Sequence, residues 1–130
     1  MEGSMTDLMR YRLGKAEGAL AEAEENISHG HFSTALNRSY YAIFHAMRAA
    51  NSLYGFDSRK HSGVIAFFNR TFVKDGRLDG SLSKIVQKAS MYREKSDYED
   101  FFVADKADAV RQLEDAKVFL TAVRKLLEQV

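Results

Sequence analysis

Apolar residues recur at helical spacing along almost the whole chain, and no useful stretch alternates with a period of two. The first helix is predicted at about residues 6–28, where apolar residues recur in steps of three and four: Met9, Leu13, Ala16, Leu20, Ala23 and Ile27. The second helix repeats this spacing at six positions: Leu36, Tyr40, Ile43, Met47, Ala50 and Tyr54. A short third helix is predicted at residues 61–72, so the first half of the chain is helical.

The second half of the chain continues the same pattern in two more helices. The fourth helix carries Leu78 or Leu82, followed by Ile85, Ala89 and Tyr92. Asp105 is the predicted N-cap of the last helix, whose apolar positions are Ala109, Leu113, Ala116, Leu120, Val123 and Leu127. Asp57 or Ser58 is the candidate N-cap of the third helix, and the glycines at 30, 55, 76 and 80 mark the breaks between helices.

Five helices with mostly short connections predict an all-α fold, an antiparallel helical bundle of four long or medium helices and one short helix. The length of 130 residues fits one domain, for which we expect the limits 6–128. The opening residues, MEGSM, are expected to be a tag remnant or a disordered N-terminal segment.

The second helix differs from the others because residues 31–55 contain no Asp, Glu or Lys. At about 100° per residue, one line along this helix carries Arg38, Tyr41, His45 and Arg48, which we call the polar stripe. Small residues suited to close helix packing line a flank of the same helix: Ala35, Ala42, Ala46 and Ala49. The pattern predicts a helix that is buried on two sides, with the polar stripe along a third.

Composition and charge narrow the possible functions. The net charge is only +1, but residues 30–77 hold seven basic and two acidic side chains, which is a weak indication of an anionic partner. The absence of cysteine excludes disulfides and thiolate metal sites, and the four histidines show no ligand spacing, so we expect no metal and no cofactor. No apolar run is long enough to span a membrane, which leads us to expect a cytoplasmic protein without membrane contact.

The polar stripe carries the residue types that cleavage of RNA without a metal needs. Such a reaction needs a base for the 2′-hydroxyl proton, an acid for the leaving oxygen and a cation for the charged phosphorane. His45 can fill either proton-transfer role, Arg38 can bind the phosphate, and Tyr41 can stack on a base or donate to a phosphate. Because one chain supplies one such histidine, two chains facing each other would supply both the acid and the base.

The residues alone leave a purely structural interpretation open. Arg38 or Arg48 could pair with an acidic residue in the segment 94–100, such as Asp97, and His45 could bond to a backbone carbonyl. Lys60 and His61 could provide a phosphate contact where the third helix begins, or they could be ordinary exposed residues at a helix start. Arg93 and Asp97, four residues apart, are expected to form a surface ion pair.

The segment ALNRSYYAIFHAMRA, residues 35–49, resembles the signature helix of HEPN domains (higher eukaryotes and prokaryotes nucleotide-binding). It is most similar to the small prokaryotic HEPN group found beside minimal nucleotidyltransferases. The motif of that family is Arg, four to six residues, then His, and here it reads Arg38, six residues, His45. Residues 58–79 and 92–101 resemble the same group, so the resemblance covers most of the chain.

This resemblance implies a helical homodimer in which paired Arg–His motifs form one cleft. Active members of the family are metal-independent RNases, often toxins that a partner nucleotidyltransferase holds in check. By position, Arg38 and His45 would be the catalytic pair. The residues expected to bind RNA or nucleotide are Ser39, Tyr41, Arg48, Lys60 and His61, with Ser39 directly after the arginine, where the family often has Asn, Asp or His.

Two other hypotheses remain open from the sequence. The chain could be a non-catalytic HEPN subunit that binds nucleotide or substrate for a nucleotidyltransferase partner. It could also be a plain helical dimerisation module, in which Arg38 and His45 have no chemical role.

Overall fold

The computed structural model describes residues 2–129. It contains five α-helices: α1 (Glu2–Ser28), α2 (Phe32–Asn51), α3 (His61–Phe68), α4 (Ser81–Tyr98) and α5 (Lys106–Glu128). A 3₁₀ turn, Ser52–Tyr54, extends α2, and a π-helical turn, Asn69–Val73, extends α3. No strand occurs between residues 2 and 129, so the predicted all-α antiparallel bundle is confirmed.

Helix α2 lies at the centre of the bundle and contacts each of the other four helices. Its small flank, which begins with Ala35 and Ala42, is no more than 1% exposed and packs against neighbouring helices at close range. Its large apolar side chains Leu36, Ile43, Phe44 and Met47 are also buried, with at most 6% exposed. The prediction that this helix is buried on two sides is therefore confirmed.

The helix ends agree with the sequence prediction at one position and differ at others. Asp105 is the N-cap of α5, as predicted, and its carboxylate accepts a hydrogen bond of 2.8 Å from the backbone N–H of Asp108. The predicted N-cap of α3 was wrong, because the cap position is Lys60 and no side chain caps this helix. Helix α1 begins before the expected residue 6 and includes residues 2–5, whereas Met1 lies outside the described residues.

Gly63 brings the start of α3 against the turn before it. A Cβ atom at this position would lie 2.6 Å from Ser58 Oγ and 3.1 Å from Ser58 Cβ, closer than side-chain atoms normally approach. The Ser58 hydroxyl oxygen in turn accepts a hydrogen bond of 3.1 Å from the backbone N–H of Lys60. Gly63 therefore allows the first turn of α3 to pack directly against Ser58, and a larger residue at this position would force Ser58 to shift.

Candidate active site

The polar stripe is the surface that α2 leaves uncovered. From Ala35 to the end of this helix, the residues that are not buried are Asn37, Arg38, Tyr41, His45 and Arg48. These are the four residues of the predicted stripe and one neighbour. The period of the sequence pattern thus located the surface correctly.

Arg38 and His45 line one surface cavity of about 280 Å³ between α1 and α2. The opposite wall comes from α1 and consists of Lys15, Gly18, Ala19 and Glu22. Gly18 and Ala19 have almost no side chain, so α1 leaves room above the two functional groups. A guanidinium and an imidazole that are two helical turns apart in sequence therefore open into the same groove.

Arg38 is held in place by three neighbours. Its Nε and Nη2 atoms donate to the side-chain oxygen of Asn37 at 3.0 and 2.8 Å, and its Nη1 atom lies 3.3 Å from Glu22 Oε1. The guanidinium carbon lies 5.1 Å from the centre of the Tyr41 ring, a cation–π contact. Because both Arg38 and Glu22 are substantially exposed, an incoming phosphate can compete with the carboxylate for the guanidinium.

His45 is neutral at neutral pH. Burial, followed by the positive charges of Lys15, Arg48, Arg38 and Arg12, lowers its pKa to about 4. Its Nδ1 atom is buried and has no hydrogen-bond partner among the described residues. Proton transfer to or from a bound molecule must therefore use Nε2, and the free protein presents this ring as a base at neutral pH.

Tyr41 lies at the middle of the polar stripe and touches groups from three helices. Its ring centre lies 6.0 Å from that of His45 on the same helix and 5.8 Å from that of His61 on α3. The guanidinium carbon of Arg93, from α4, lies 5.9 Å from the same ring. His61, a predicted site residue, therefore lies beside Tyr41, and so does Arg93, which the sequence did not indicate.

Arg48 occupies the end of the polar stripe but is bound to an internal carboxylate. Its Nε and Nη2 atoms donate to the two oxygens of Asp57 at 3.1 and 2.9 Å. Arg12, only 7% exposed, also donates to Asp57 at 3.2 Å and to the backbone carbonyl of Arg48 at 3.1 Å. These bonds give Arg48 a structural partner in Asp57, and its predicted role in binding substrate stays a prediction.

Burial alone would raise the pKa of Asp57, but the hydrogen bonds from Arg48 and from the Ser58 backbone N–H hold that pKa below its ordinary value. Asp57 is thus ionised and balances two arginines. This ion-pair group joins α1, α2 and the turn before α3, which is a structural role.

The structure bears on two further expectations. Ser39, expected to bind substrate, is 0% exposed in this structure, and its hydroxyl is buried without a hydrogen-bond partner among the described residues. Asp97 is not the partner of Arg38 or Arg48, because those arginines pair with Glu22 and Asp57. The structure does place Asp97 beside Arg93 at 3.9 Å, as predicted for a surface pair.

The remaining predicted residue, Lys60, is exposed at the start of α3. Its role as a phosphate contact stays a prediction, as do the catalytic roles of Arg38 and His45. Among residues 7–129, no three His, Asp or Glu side chains are grouped so that they could hold a metal ion. Within the described chain, no helix is long and apolar enough to cross a bilayer.

Comparison with known proteins gives consistent results. The sequence model of the HEPN domain matches residues 9–126. A "UPF0332 protein" of Thermotoga maritima is 31% identical over 95% of this chain and 93% of its own length. The "Putative toxin MJ0142" of Methanocaldococcus jannaschii is 33% identical over 87% of this chain and 77% of its own length. The solved structure of TT1696 from Thermus thermophilus is 18% identical, with a TM-score of 0.77 over 90% of this chain and 96% of its own.

Proposed function

Because the chain belongs to the HEPN domain family, we propose that it is a metal-independent endoribonuclease that acts as a homodimer. We further propose that it is the toxin of a toxin–antitoxin pair whose other member is a minimal nucleotidyltransferase. The observation that carries the enzymatic proposal is the shared cavity of Arg38 and His45. The toxin proposal is supported by a relative that is named as a toxin.

In the proposed reaction, RNA supplies its own nucleophile. Nε2 of His45 takes the proton of a 2′-hydroxyl, and the 2′-oxygen attacks the adjacent phosphorus. Arg38 binds the non-bridging oxygens and stabilises the additional negative charge of the phosphorane. The bond from phosphorus to the 5′-oxygen breaks, an acid protonates that oxygen, and the products are a 2′,3′-cyclic phosphate and a 5′-hydroxyl.

The electrostatics of the cavity suit a base that becomes stronger when substrate binds. After burial, the factors that lower the pKa of His45 are four nearby cations, three of which are arginines. A bound phosphate would offset part of that positive charge and raise the pKa of His45 toward neutrality. A base whose pKa lies nearer the working pH transfers a proton more effectively.

A homodimer would complete the acid–base pair. The cavity of one protomer is lined by a single imidazole, that of His45. The polar stripe is an uncovered surface on the most central helix of the bundle, and a twin chain facing it would bring a second His45 to the same substrate. That second imidazole, protonated, would serve as the acid for the leaving 5′-oxygen.

The direct test is cleavage of single-stranded RNA by the purified protein in the presence of EDTA. We expect the wild type to yield products that end in a 2′,3′-cyclic phosphate and His45→Ala to yield none while keeping the same oligomeric state. His31→Ala is the matched control, because His31 is exposed at the start of α2 and makes no side-chain capping bond. Identical RNA patterns from wild type and His45→Ala would disprove the enzymatic proposal.

One observation favours a second candidate, a non-catalytic HEPN subunit that binds nucleotide or substrate for a nucleotidyltransferase. Arg38 is paired with Glu22 in the free protein. A nucleotide phosphate that displaced Glu22 would bind Arg38 without any cleavage step. Tight binding of nucleotide without any cleavage of RNA would support this candidate over the first.

A further inference from the structure

A second arginine and a second histidine lie close to Tyr41, in addition to Arg38 and His45. Arg38 and His45 belong to α2, whereas His61 comes from α3 and Arg93 from α4. All four groups lie within about 6 Å of the centre of the Tyr41 ring. The guanidinium carbons of Arg38 and Arg93 lie at 5.1 and 5.9 Å, and the ring centres of His45 and His61 lie at 6.0 and 5.8 Å. A single protomer therefore presents two cation–imidazole pairs around one aromatic ring.

The ring of His61 is fixed by its neighbours. Its Nδ1 atom lies 2.8 Å from the hydroxyl of Tyr40, a residue that is 1% exposed, and its ring packs on Phe44 with centres 4.2 Å apart. Burial raises the pKa of Tyr40 to about 12, so the phenol stays protonated at neutral pH. Burial, followed by the charges of Arg93 and Arg48, lowers the pKa of His61, so this ring is neutral at neutral pH and its Nδ1 is able to accept a hydrogen bond from the phenol.

The Tyr40 hydroxyl has no other hydrogen-bond partner among the described residues, so we assign it as the donor to Nδ1. In that tautomer the ring proton is on Nε2, which is a donor for a ligand. The buried Tyr40 therefore fixes the orientation of the His61 ring, which leaves Nε2 as the ring nitrogen available to a ligand. Packing of Gly63 against Ser58 fixes the adjacent start of α3 as well.

Arg93 retains its donors for a ligand. Its guanidinium carbon lies 5.1 Å from the Tyr40 ring and 5.9 Å from the Tyr41 ring, so both aromatic side chains hold the planar group. Its partner Asp97 lies at 3.9 Å, beyond hydrogen-bond distance, and is itself exposed. By contrast, the Nη2 and Nε atoms of Arg48 both donate to the carboxylate of Asp57, at 2.9 and 3.1 Å.

We infer that Arg93 and His61 form a second phosphate-binding subsite, which holds a neighbouring phosphate of the same RNA strand whose scissile phosphate lies at Arg38 and His45. The chemistry is that of single-strand recognition, in which cations bind the backbone and aromatic rings line the path. The identity of the ligand as RNA rests on the proposed function. The positions of the two arginines and two histidines around Tyr41 do not depend on that function.

The subsite can be tested without any cleavage. The probe is a short single-stranded RNA with 2′-O-methyl groups at every position, which lacks the nucleophile and stays intact in contact with the wild-type protein. Its dissociation constant is measured by fluorescence anisotropy at several salt concentrations. Each phosphate contact on a single strand contributes about 0.7 to the slope of log K against log salt.

We expect Arg93→Gln to weaken binding about three- to tenfold and to reduce this slope by about 0.7. Arg70→Gln is the matched control, because Arg70 also packs on an aromatic ring, that of Phe67, but lies outside the cluster around Tyr41. It should leave the slope unchanged. Tyr40→Phe removes the hydroxyl that orients His61 and should weaken binding by a smaller factor, about twofold, with the slope retained.

Two results would overturn the inference: a slope for Arg93→Gln equal to that of Arg70→Gln, or the absence of any binding of the probe by the wild type. If Arg93→Gln is not folded by circular dichroism, His61→Asn is measured in its place and should also weaken binding, since it removes the aimed donor. Failure of the proposed function has a different signature. In that case unmodified RNA remains uncut in EDTA while the slope still depends on Arg93.

Discussion

Arg38 and Glu22 form an ion pair of 3.3 Å across the cavity that His45 also lines. The pair joins α2 to α1 and places a carboxylate where a substrate phosphate would have to bind. Glu22 therefore holds the guanidinium in position and, in the proposed function, would compete with the RNA phosphate for it.

Glu22→Gln should increase the affinity for single-stranded RNA, because it removes the competing charge and leaves a neutral group of the same shape. An exposed pair of this kind is worth at most about 1 kcal/mol, so the dissociation constant should fall no more than about fivefold. Anisotropy with the 2′-O-methyl probe measures this directly. Glu25→Gln removes the same charge from an exposed position one turn further along α1 and should change the affinity much less.

Arg38→Ala and Arg48→Ala should separate ligand binding from folding, although both arginines belong to the polar stripe. Arg38→Ala should lower Tm by only a few degrees, because its partner Glu22 is exposed, and it should abolish RNA cleavage. Arg48→Ala should reduce stability by about 1–2 kcal/mol, because it removes the two hydrogen bonds to Asp57. Thermal melts and cleavage assays on the same samples decide between these outcomes. A large drop in Tm for Arg38→Ala would identify Arg38 as a structural residue.

Asp57→Asn should destabilise the protein by about 1–2 kcal/mol, because it leaves Arg12 and Arg48 close together without their shared carboxylate. The effect is smaller than for a fully buried pair because Asp57 is half exposed. Denaturant unfolding gives the free energy. Asp75→Asn is the control, since its ion pair with Arg77 is longer and more exposed, and its stability should stay within about 0.5 kcal/mol of the wild type.

His45 should make the protein less stable as the pH falls through weakly acidic values. Its folded-state pKa of about 4 lies below the ordinary value of 6.5. Between those values the unfolded chain binds the proton more readily, so stability is present above about pH 6.5 and is lost as the pH falls toward 4. The loss from this residue should be about 2 kcal/mol, less than a full shift implies because the ring is partly exposed.

The comparison that isolates this effect is with His45→Gln, which cannot titrate. Unfolding free energies of both proteins are measured at pH 7 and at pH 4. The wild type should lose about 2 kcal/mol more than the variant over this range. Equal losses would mean that the histidine has an ordinary pKa in the folded protein.

The sequence predicted the helices well because their apolar positions repeat regularly over long stretches. It also located the polar stripe, since on a helix without Asp, Glu or Lys the few polar positions stand out. It did not indicate the burial of Ser39, which is adjacent to Arg38 in sequence. Successive residues on a helix are about 100° apart, and this angle turns Ser39 into the core, where it is 0% exposed.

The partners of the stripe could not be predicted, because they come from other helices. Glu22 lies 16 residues before Arg38, and Arg93 lies 52 residues after Tyr41, so neither position is related to the stripe by helical spacing. Glu22 is one of several exposed acidic residues of α1, and nothing in its spacing distinguishes it from the others. Arg93 looked like half of a local ion pair, which it is, but its position over two tyrosine rings follows only from the docking of α4 against α2.

The close approach of Gly63 to Ser58 extends the range of positions at which a single substitution could inactivate the protein. A larger side chain at 63 would meet Ser58, which follows Asp57, so Ser58 or the start of α3 with His61 would have to shift. If the chain is toxic to its host, spontaneous survivors should include alleles altered at this glycine. Such alleles would retain every RNA-contacting side chain and would have lost only the alignment of those side chains.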